Sequence, residues 1–329
     1  MADLYNSSGE IIRELFDISP YGLIHTFTPF ETDYATESNT PKVLNIDTET
    51  FLDTFYNPYL GNNDNGVFVG KKEIGKDETG QYKVWQYELR PIDGDYKKTI
   101  LLTSGMHTYE LPASFGLARW VKEFMESKDA VFDYLRKNVR IFLIPIVNPW
   151  GFNQNPKKYG NSNGINPNRN FNDWQGAWES FPVSTDEWNQ KGEAPFSEAE
   201  TQNLRDWLYS HPEAEFWIDC HTGVECSNGE VWCLYTSSNP NVNKIQNAIE
   251  ALSMHIQSTY GKTAKTYTQI DADSFIKGKF GTDVCGIPTM TIEQSSSTET
   301  AFKSVPNNCA EAITEYATQI HAYLMAQLM

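Results

Sequence analysis

The sequence predicts an α/β fold in which a mixed sheet is covered by helices on both faces. From residue 42 to the C-terminus, strand-like and helix-like segments alternate, which is the pattern of an α/β protein. Two apolar runs, TILLTS and VRIFLIPIV, are typical of strands buried inside a sheet. A hairpin precedes them, so the sheet contains antiparallel as well as parallel pairs.

The N-terminal part of the chain predicts an irregular extension followed by a helix and the hairpin. Residues 1–41 are rich in Thr, Ser, Tyr and Phe, and we expect them to pack on a main domain of residues 42–329. Residues 48–56 (TETFLDTFY) predict a helix. Residues 67–74 and 81–89, with KDETG between them, predict the two hairpin strands.

The central part predicts a strand–helix–strand unit and a further helix. TILLTS at 99–104 and VRIFLIPIV at 139–147 are the strands, and residues 113–127 between them have apolar residues at helical spacing. The segment PFSEAETQNLRDWLYS contains a helix start signal. Ser197 can cap the first free amides there while Glu200, three residues later, bonds back to it.

The C-terminal third predicts two long helices among short strands. Residues 242–261 place apolar side chains on one face and end at a glycine, which is typical of an amphipathic helix with a glycine stop. Residues 310–329 show the same apolar spacing to the end of the chain. The strands are predicted at 214–221, 230–236, 264–270 and 288–294.

Charge and hydropathy argue against some classes of partner. The formal net charge of −17 disfavours nucleic acid and anionic membrane surfaces. No run of about 18 apolar residues occurs, so no membrane span is predicted. The first ten residues lack a basic segment followed by an apolar one. We therefore expect a soluble protein without a secretory signal, and we assign no compartment.

Candidate metal ligands follow two of the predicted strands. His107 and Glu110 lie in SGMHTYE, directly after TILLTS, and His221 follows FWIDC. Ligands of α/β proteins gather beyond the carboxyl ends of strands. Catalytic zinc sites use three protein ligands and keep one position open. The three residues are therefore candidates for one metal site.

Two further groups suit the chemistry of such a site. Glu293 in TMTIEQ closes a late strand, and a second carboxylate there can take a proton from water and pass it to a leaving amine. Asn168 and Arg169 lie in INPNRNF, where a guanidinium and an amide can clamp a carboxylate. The simpler interpretations are a polar strand end and an asparagine-rich turn.

Taken together, these motifs resemble the zinc carboxypeptidases, the group of the pancreatic carboxypeptidases and their bacterial relatives. The resemblance runs from about residue 42 to the C-terminus, and its markers occur in family order. It implies one catalytic domain over residues 42–329, with a mixed, mostly eight-stranded, twisted sheet between helices. The markers are HTYE, NPWGF, NPNRNF, PFSEAET, CHTG and TIEQ.

The resemblance implies a role for each candidate residue near the metal. His107, Glu110 and His221 match the ligands of one zinc ion per chain. Glu293 matches the general base that activates water together with the metal and then protonates the departing amine.

The resemblance also implies the substrate. Asn168 and Arg169 match the pair that holds the terminal carboxylate, so that only the last peptide bond is cut. The expected partner is a peptide with a free C-terminus. Bacterial relatives of similar size often trim cell-wall peptides, which makes a murein peptide one candidate substrate.

One departure from the family concerns a residue behind the metal site. Many relatives have an aspartate where this chain has Asn166. The neutral amide still accepts a ring proton from a zinc-bound histidine, but it makes that histidine a less basic ligand. We therefore predict weaker metal retention.

Two other departures concern groups that contact the substrate. The oxyanion-supporting arginine of relatives falls in KKYGNSNG, where Lys157, Lys158 or Tyr159 are the candidate replacements. The mobile tyrosine of relatives corresponds by position to Phe275. Tyr267 is the nearest phenol, and we assign it to substrate binding.

The stretch DADSFIKGKFGTDVCGIP matches the family's pocket for the last side chain of the substrate. Lys277 or Lys279 facing inward would favour an acidic side chain. Asp271, Asp273 or Asp283 facing inward would favour a basic one. Solvated loop charges are the simpler interpretation.

Two alternative functions are compatible with the same motifs. One is an amidohydrolase of the related deacylase branch, which removes the acyl group from N-acyl amino acids. The other is a non-catalytic binding module that keeps the fold. The segments NRNF and PFSEAET favour a peptidase over a deacylase, and an intact set of ligands with Glu293 favours an enzyme over a binding module.

Overall fold

In the part of the chain that the computed structural model describes, a nine-stranded mixed sheet forms the centre of the fold. The strands follow the order β1-β2-β3-β5-β4-β6-β9-β7-β8 across the sheet. They are β1 Gly61–Asn62, β2 Val67–Lys76, β3 Lys83–Pro91, β4 Lys98–Ser104, β5 Val139–Ile144, β6 Phe216–Gly223, β7 Glu230–Tyr235, β8 Lys265–Ile270 and β9 Thr289–Ser295. The structure describes residues 23–25, 27, 46–186, 188–223, 230–260, 265–270, 276–295 and 306–329.

The pairing of the strands confirms the predicted mixed sheet. β4 pairs in parallel with β5 on one side and with β6 on the other, and β6 pairs in parallel with β9. The β2–β3 hairpin and the β7–β9 pair are antiparallel. Among the described strands, eight have six or more residues, which agrees with the eight-stranded sheet that the family resemblance implies. The ninth, β1, is a two-residue strand at one edge.

Helices cover both faces of the sheet. In the described part of the chain they are α1 Thr48–Phe55, α2 Leu111–Glu126, α3 Ala130–Asn138, α4 Pro149–Phe152, α5 Ala177–Ser180, α6 Ala199–Tyr209, α7 Val242–Tyr260, α8 Ile276–Lys279 and α9 Pro306–Leu328. Short 3-10 turns occur at Asn57–Tyr59 and Pro167–Arg169, and a π-helical turn at Phe280–Val284. Within these ranges no helix combines the length and apolarity that a bilayer span requires.

The central strands bury side chains on both faces, as their apolar sequences predict. In β4, Ile100 and Leu102 belong to the cluster that includes α2, α7 and α9, whereas Leu101 belongs to the cluster under α6. This alternation is the period of two expected for a strand. The site is therefore placed by strands that are fixed from both sides.

Helix α3 was not predicted from the sequence. Asp129 caps it, because its carboxylate accepts a 2.9 Å hydrogen bond from the amide of Val131. Phe132 and Leu135 of α3 are buried against the core. The cap residue and the apolar spacing were both visible in SKDAVFDYLRKN.

The predicted capping box of α6 is wrong. The helix begins at Ala199, and Ser197 donates to the Glu198 carboxylate instead of capping the helix. Glu78, in the turn of the β2–β3 hairpin, accepts from the Ala199 amide at 2.7 Å, and Glu200 accepts from the Glu78 amide at 3.1 Å. The reciprocal pair of a capping box is thus formed between distant segments.

The predicted boundary between residues 41 and 42 lies outside the described residues, as does most of the predicted extension. Leu23 and Phe27, which are described, are buried in the main core. The division into an extension and a catalytic domain stays a prediction.

Candidate metal centre

His107 and Glu110 lie in the turn between β4 and α2. The turn starts at Gly105, which has φ +68° and would place a Cβ 3.0 Å from the Cα of Ile146, so glycine is required there. Glu110 occupies the N-cap position of α2 but makes no capping hydrogen bond with its side chain. Its carboxylate instead faces the two histidines.

His221 lies in β6, where the strand register places it beside Glu293. The parallel pairing of β6 with β9 aligns these two residues directly. Residues that are level on neighbouring strands project from the same face of the sheet. The amide of Thr222 donates a 3.0 Å hydrogen bond to Oε2 of Glu110, which ties the β4–α2 turn to the end of β6.

The structure brings the three predicted metal ligands together. Nδ1 of His107 lies 2.8 Å from Oε1 of Glu110, and Nδ1 of His221 lies 3.0 Å from Oε2 of the same carboxylate. The two Nδ1 atoms are 3.1 Å apart. One ligand atom from each residue lies within 4.8 Å of the others, and all three side chains are buried.

A neutral amide holds the outer nitrogen of His107. Nε2 of His107 lies 2.9 Å from Oδ1 of Asn166. Nδ2 of Asn166 donates to the carbonyl oxygen of Trp188 at 2.6 Å and to the hydroxyl of Tyr159 at 3.3 Å. The ring of Tyr159 stacks on the imidazole, with 3.9 Å between centroids. Asn166 thus orients His107 while its own donors fix its orientation.

A charged pair holds the outer nitrogen of His221. Nε2 of His221 lies 2.7 Å from Oδ2 of Asp219 and 3.0 Å from Nζ of Lys277. Lys277 also donates to Oδ2 of Asp219, and the hydroxyl of Thr103 donates to Oδ1. Asp219 and Lys277 are both 0% exposed, so neither charge reaches solvent.

Asp219 was not predicted as a site residue, and Lys277 was considered only for the substrate pocket. Asp219 lies two residues before His221 in the same strand, so both project from one face of the sheet. An acid inside the apolar run FWIDC was the signal that could have identified it. Lys277 is 56 positions from His221, and no local pattern connects the two.

The donor set fits a zinc ion. Each imidazole has its Nε2 against an acceptor oxygen, which favours a proton on Nε2, so that Nδ1, once deprotonated, would face the shared point as a ligand. Glu110 adds a carboxylate at that point. Two imidazole nitrogens and one carboxylate form a ligand set used by catalytic zinc sites, so His107, Glu110 and His221 would hold the ion.

Burial and neighbouring charges shift the pKa values of the three candidate ligands. Burial and Lys277 lower the pKa of His221, but the carboxylates of Asp219 and Glu110 outweigh them and raise it to about 9. Burial lowers the pKa of His107 more than Glu110 raises it. Burial raises the pKa of Glu110, but the two histidines outweigh it and lower that pKa to about 2.

Glu293 is a half-buried residue of β9, level with His221 of β6. Burial of its carboxyl group and the negative charge of Glu110 raise its pKa to about 8, against the opposing charges of His221 and Lys277. Glu293 therefore exchanges a proton near neutral pH, which suits a group that accepts and returns one.

Asn168 and Arg169 lie on the 3-10 turn that Asn166 starts. Oδ1 of Asn166 accepts a 2.9 Å hydrogen bond from the amide of Asn168. Burial lowers the pKa of Arg169, and the carboxylate of Glu293 is among the charges that oppose this shift. Oδ1 of Asn168 is buried and has no hydrogen-bond partner among the described residues. The charge of Glu293 thus acts on Arg169, one of the two predicted clamp residues.

Of the three candidates for supporting an oxyanion, Tyr159 alone contacts a candidate ligand among the described contacts. It stacks on His107. Lys157 donates to the carbonyl oxygens of Ile46 and Phe152. Lys158 is exposed.

The predicted roles of Tyr267 and Phe275 stay predictions. Tyr267 lies on β8, level with Trp232 of β7, which is level with Glu293 of β9. Two strand spacings, about 10 Å, therefore separate the backbones of Tyr267 and Glu293. The side chain of Tyr267 and the whole of Phe275 lie outside the described residues.

The predicted pocket charges are only partly described. Lys277 faces inward, but its charge is paired with Asp219. Asp283 is exposed. Asp271 and Asp273 lie outside the described residues.

Sequence comparison identifies a family and a curated relative. Residues 68–326 match the family described as zinc carboxypeptidase. Carboxypeptidase B from Astacus astacus is 28% identical over 133 residues, which cover 36% of this chain and 43% of the relative. The alignment thus spans less than half the length of that relative.

Structural comparison finds the same fold in solved metallocarboxypeptidases. Carboxypeptidase A from Helicoverpa armigera has a TM-score of 0.62 and 16% identity, covering 97% of this chain and 81% of that chain. Thrombin activatable fibrinolysis inhibitor has a TM-score of 0.64 and 16% identity, with 84% and 71% covered. A metallo-carboxypeptidase from Burkholderia cenocepacia has a TM-score of 0.58 and 17% identity, with 84% and 67% covered.

Proposed function

The chain belongs to the zinc carboxypeptidase family, and from this premise we propose that it hydrolyses the C-terminal peptide bond of peptides in a zinc-dependent reaction. The observation that carries the proposal is the grouping of His107, Glu110 and His221 beside Glu293, which is level with His221 in the neighbouring strand. A metal site and a separate carboxylate are the two parts that such a reaction requires.

In the proposed mechanism, Glu293 moves the proton. His107, Glu110 and His221 would hold a zinc ion, which would supply Lewis-acid chemistry for a carbonyl and a water. Glu293 takes a proton from the attacking water as its oxygen bonds to the carbonyl carbon. When the carbon–nitrogen bond breaks, Glu293 delivers that proton to the departing amine.

Asn168 and Arg169 would bind the terminal carboxylate of the substrate. The guanidinium offers two parallel donors to a carboxylate, and the amide of Asn168 adds a third. Their turn begins at Asn166, the residue that also holds His107, so clamp and metal site share one support. Such a clamp selects the last peptide bond, because an internal bond brings no carboxylate to it.

A set of matched substrates tests the reaction type. We expect the zinc-loaded protein to release the last residue from an N-blocked dipeptide with a free carboxylate, and to leave its C-terminal amide intact. Preferential hydrolysis of simple N-acyl amino acids would support the deacylase alternative. A protein that binds zinc but cleaves none of these compounds would support the binding-module alternative. Cell-wall peptides belong in the substrate set, although no described residue selects them.

The exchange Glu293→Gln tests the proposed base. We expect kcat to fall by about 10²–10⁴-fold, because the amide cannot accept the proton, while bound zinc is retained. Glu315→Gln, a carboxylate change in α9, is the matched control and should leave kcat near the wild-type value. An unchanged kcat in Glu293→Gln would contradict the assignment.

The exchange Arg169→Ala tests the clamp separately. We expect KM for the free-carboxylate dipeptide to rise by about 10-fold or more, because a charge-assisted hydrogen bond contributes about 1.5–3 kcal/mol. Arg205→Ala on α6 is the control. An equal KM in Arg169→Ala would remove Arg169 from the clamp.

A further inference from the structure

We propose that Asp219 and Lys277 are a positioning pair for His221, holding its ring so that Nδ1 faces the metal site. The inference rests on the proposed zinc site. It concerns two buried charged residues to which the proposed mechanism gives no other task.

Hydrogen bonds from two neighbouring side chains fix the carboxylate of Asp219. Its Oδ2 lies 2.7 Å from Nε2 of His221, while its Oδ1 accepts from the hydroxyl of Thr103. Thr103 is in turn the acceptor for the indole Nε1 of Trp217 at 2.8 Å. Asp219 and Thr103 are level on paired strands. The carboxylate is therefore fixed by the sheet itself and can fix the imidazole.

Lys277 neutralises the buried negative charge of Asp219. Its Nζ bonds Oδ2 of Asp219 and lies 3.0 Å from Nε2 of His221. A lone buried carboxylate would be costly and would alter the charge beneath the metal. Lys277 reaches Asp219 from α8, which packs against β9 and the Pro167–Arg169 turn. The pair thus supplies an acceptor for His221 without adding net charge.

The two candidate histidine ligands have different partners at Nε2. His107 is held by the neutral Asn166, and the carboxylate partner stands behind His221 instead. Carboxylate partners of metal-bound histidines fix the tautomer and the ring orientation. In this chain we infer that this task falls on Asp219, with Lys277 as its counter-ion.

The test compares the metal-free and metal-loaded forms of three variants. These are Asp219→Leu, which removes the acceptor at Nε2 of His221, Lys277→Met, and the double variant that combines the two substitutions. The double variant leaves no unpaired buried charge, so we expect its metal-free form to melt close to the wild-type temperature. Its zinc affinity, measured by competition with a chelating dye, should still be about 10–100-fold lower than wild type. The visible spectrum of its cobalt-substituted form should shift as well.

The test includes one control variant, and two outcomes would contradict the proposal. Lys244→Met removes a lysine that bonds the Gln327 carbonyl far from the site, and it should not alter zinc affinity or the cobalt spectrum. Wild-type zinc affinity and an unchanged cobalt spectrum in the double variant would overturn the proposal. So would equal losses in the double variant and in Lys244→Met. If wild type binds zinc but cleaves no peptide, the proposed function fails while these metal readouts still decide the pair.

Discussion

The two histidines of the site are held by opposite means. On one side a neutral amide accepts from the ring, and on the other a carboxylate with its own counter-ion does so. Neither side adds net charge, so Glu110 and Glu293 remain to balance a divalent cation. The His107 side comprises His107, Asn166, Tyr159 and Trp188, and the His221 side comprises His221, Asp219 and Lys277.

The difference shows that orientation and charge are separate requirements of a metal site. Asn166 orients His107 because it accepts from the ring and donates to the Trp188 carbonyl and the Tyr159 hydroxyl. The His221 side achieves the same result with two full charges that cancel. Both solutions leave each Nδ1 facing Glu110.

The largest expected effect comes from Glu110, whose carboxylate lies against both histidines. We expect Glu110→Gln to lower zinc affinity by more than about 100-fold, since loss of a charged ligand should exceed the loss of an outer partner. Glu123→Gln in α2, which alters the pairs of Glu123 with Arg119 and His25, should leave zinc affinity unchanged. Similar affinities in the two variants would contradict a shared ligand.

The next expected effect is a difference between the two histidines in how their contribution to stability depends on pH. The pKa of His221 is raised to about 9 in the metal-free protein, so its stabilising contribution is complete below pH 6.5 and is lost as pH rises to 9. The difference in unfolding free energy between wild type and His221→Asn should therefore shrink by about 3 kcal/mol over this range.

His107→Asn provides the internal comparison for that experiment. The pKa of His107 is lowered from its ordinary value of 6.5, so above that pH this residue is neutral in the folded protein and mostly neutral in the unfolded protein. Its difference from wild type should stay nearly constant between pH 6.5 and 9, as measured by urea unfolding. Equal pH dependence for the two variants would contradict the opposite environments of the histidines.

The smallest expected effect comes from Asn166, the neutral partner of His107. Asn166→Asp should raise zinc affinity by up to about 10-fold, because a carboxylate makes His107 a more basic ligand. It should also destabilise the metal-free protein by about 1–3 kcal/mol, because the Trp188 carbonyl loses its buried donor. Asn138→Asp, which loses a donor to the Tyr134 carbonyl, is the control for zinc affinity. Equal zinc affinities of wild type and Asn166→Asp would contradict the prediction of weaker metal retention.

Local patterns in the sequence were sufficient for most of the fold and for the candidate ligands. His107 and Glu110 share one short motif after an apolar strand, and His221 follows a second such strand. The carboxyl ends of neighbouring parallel strands lie at the same edge of the sheet. These positions therefore had to converge if the strands were correctly placed. The same reasoning placed Glu293 beside them.

Partners that are distant in the chain could not be predicted in this way. Lys277 meets Asp219 only because α8 packs against the end of the sheet, and Glu78 caps α6 across 121 positions. Neither contact leaves a periodic or local signal. Asp219 is an intermediate case, since its place on the same strand face as His221 was readable from a period of two.

The central claim is that one zinc ion binds between the His107 and His221 sides. X-ray diffraction from zinc-loaded crystals, measured above and below the zinc absorption edge, tests it most directly. We expect one anomalous peak per chain, about 2.0–2.2 Å from Nδ1 of His107, Nδ1 of His221 and the carboxylate of Glu110. A peak elsewhere, or none at this position, would contradict it.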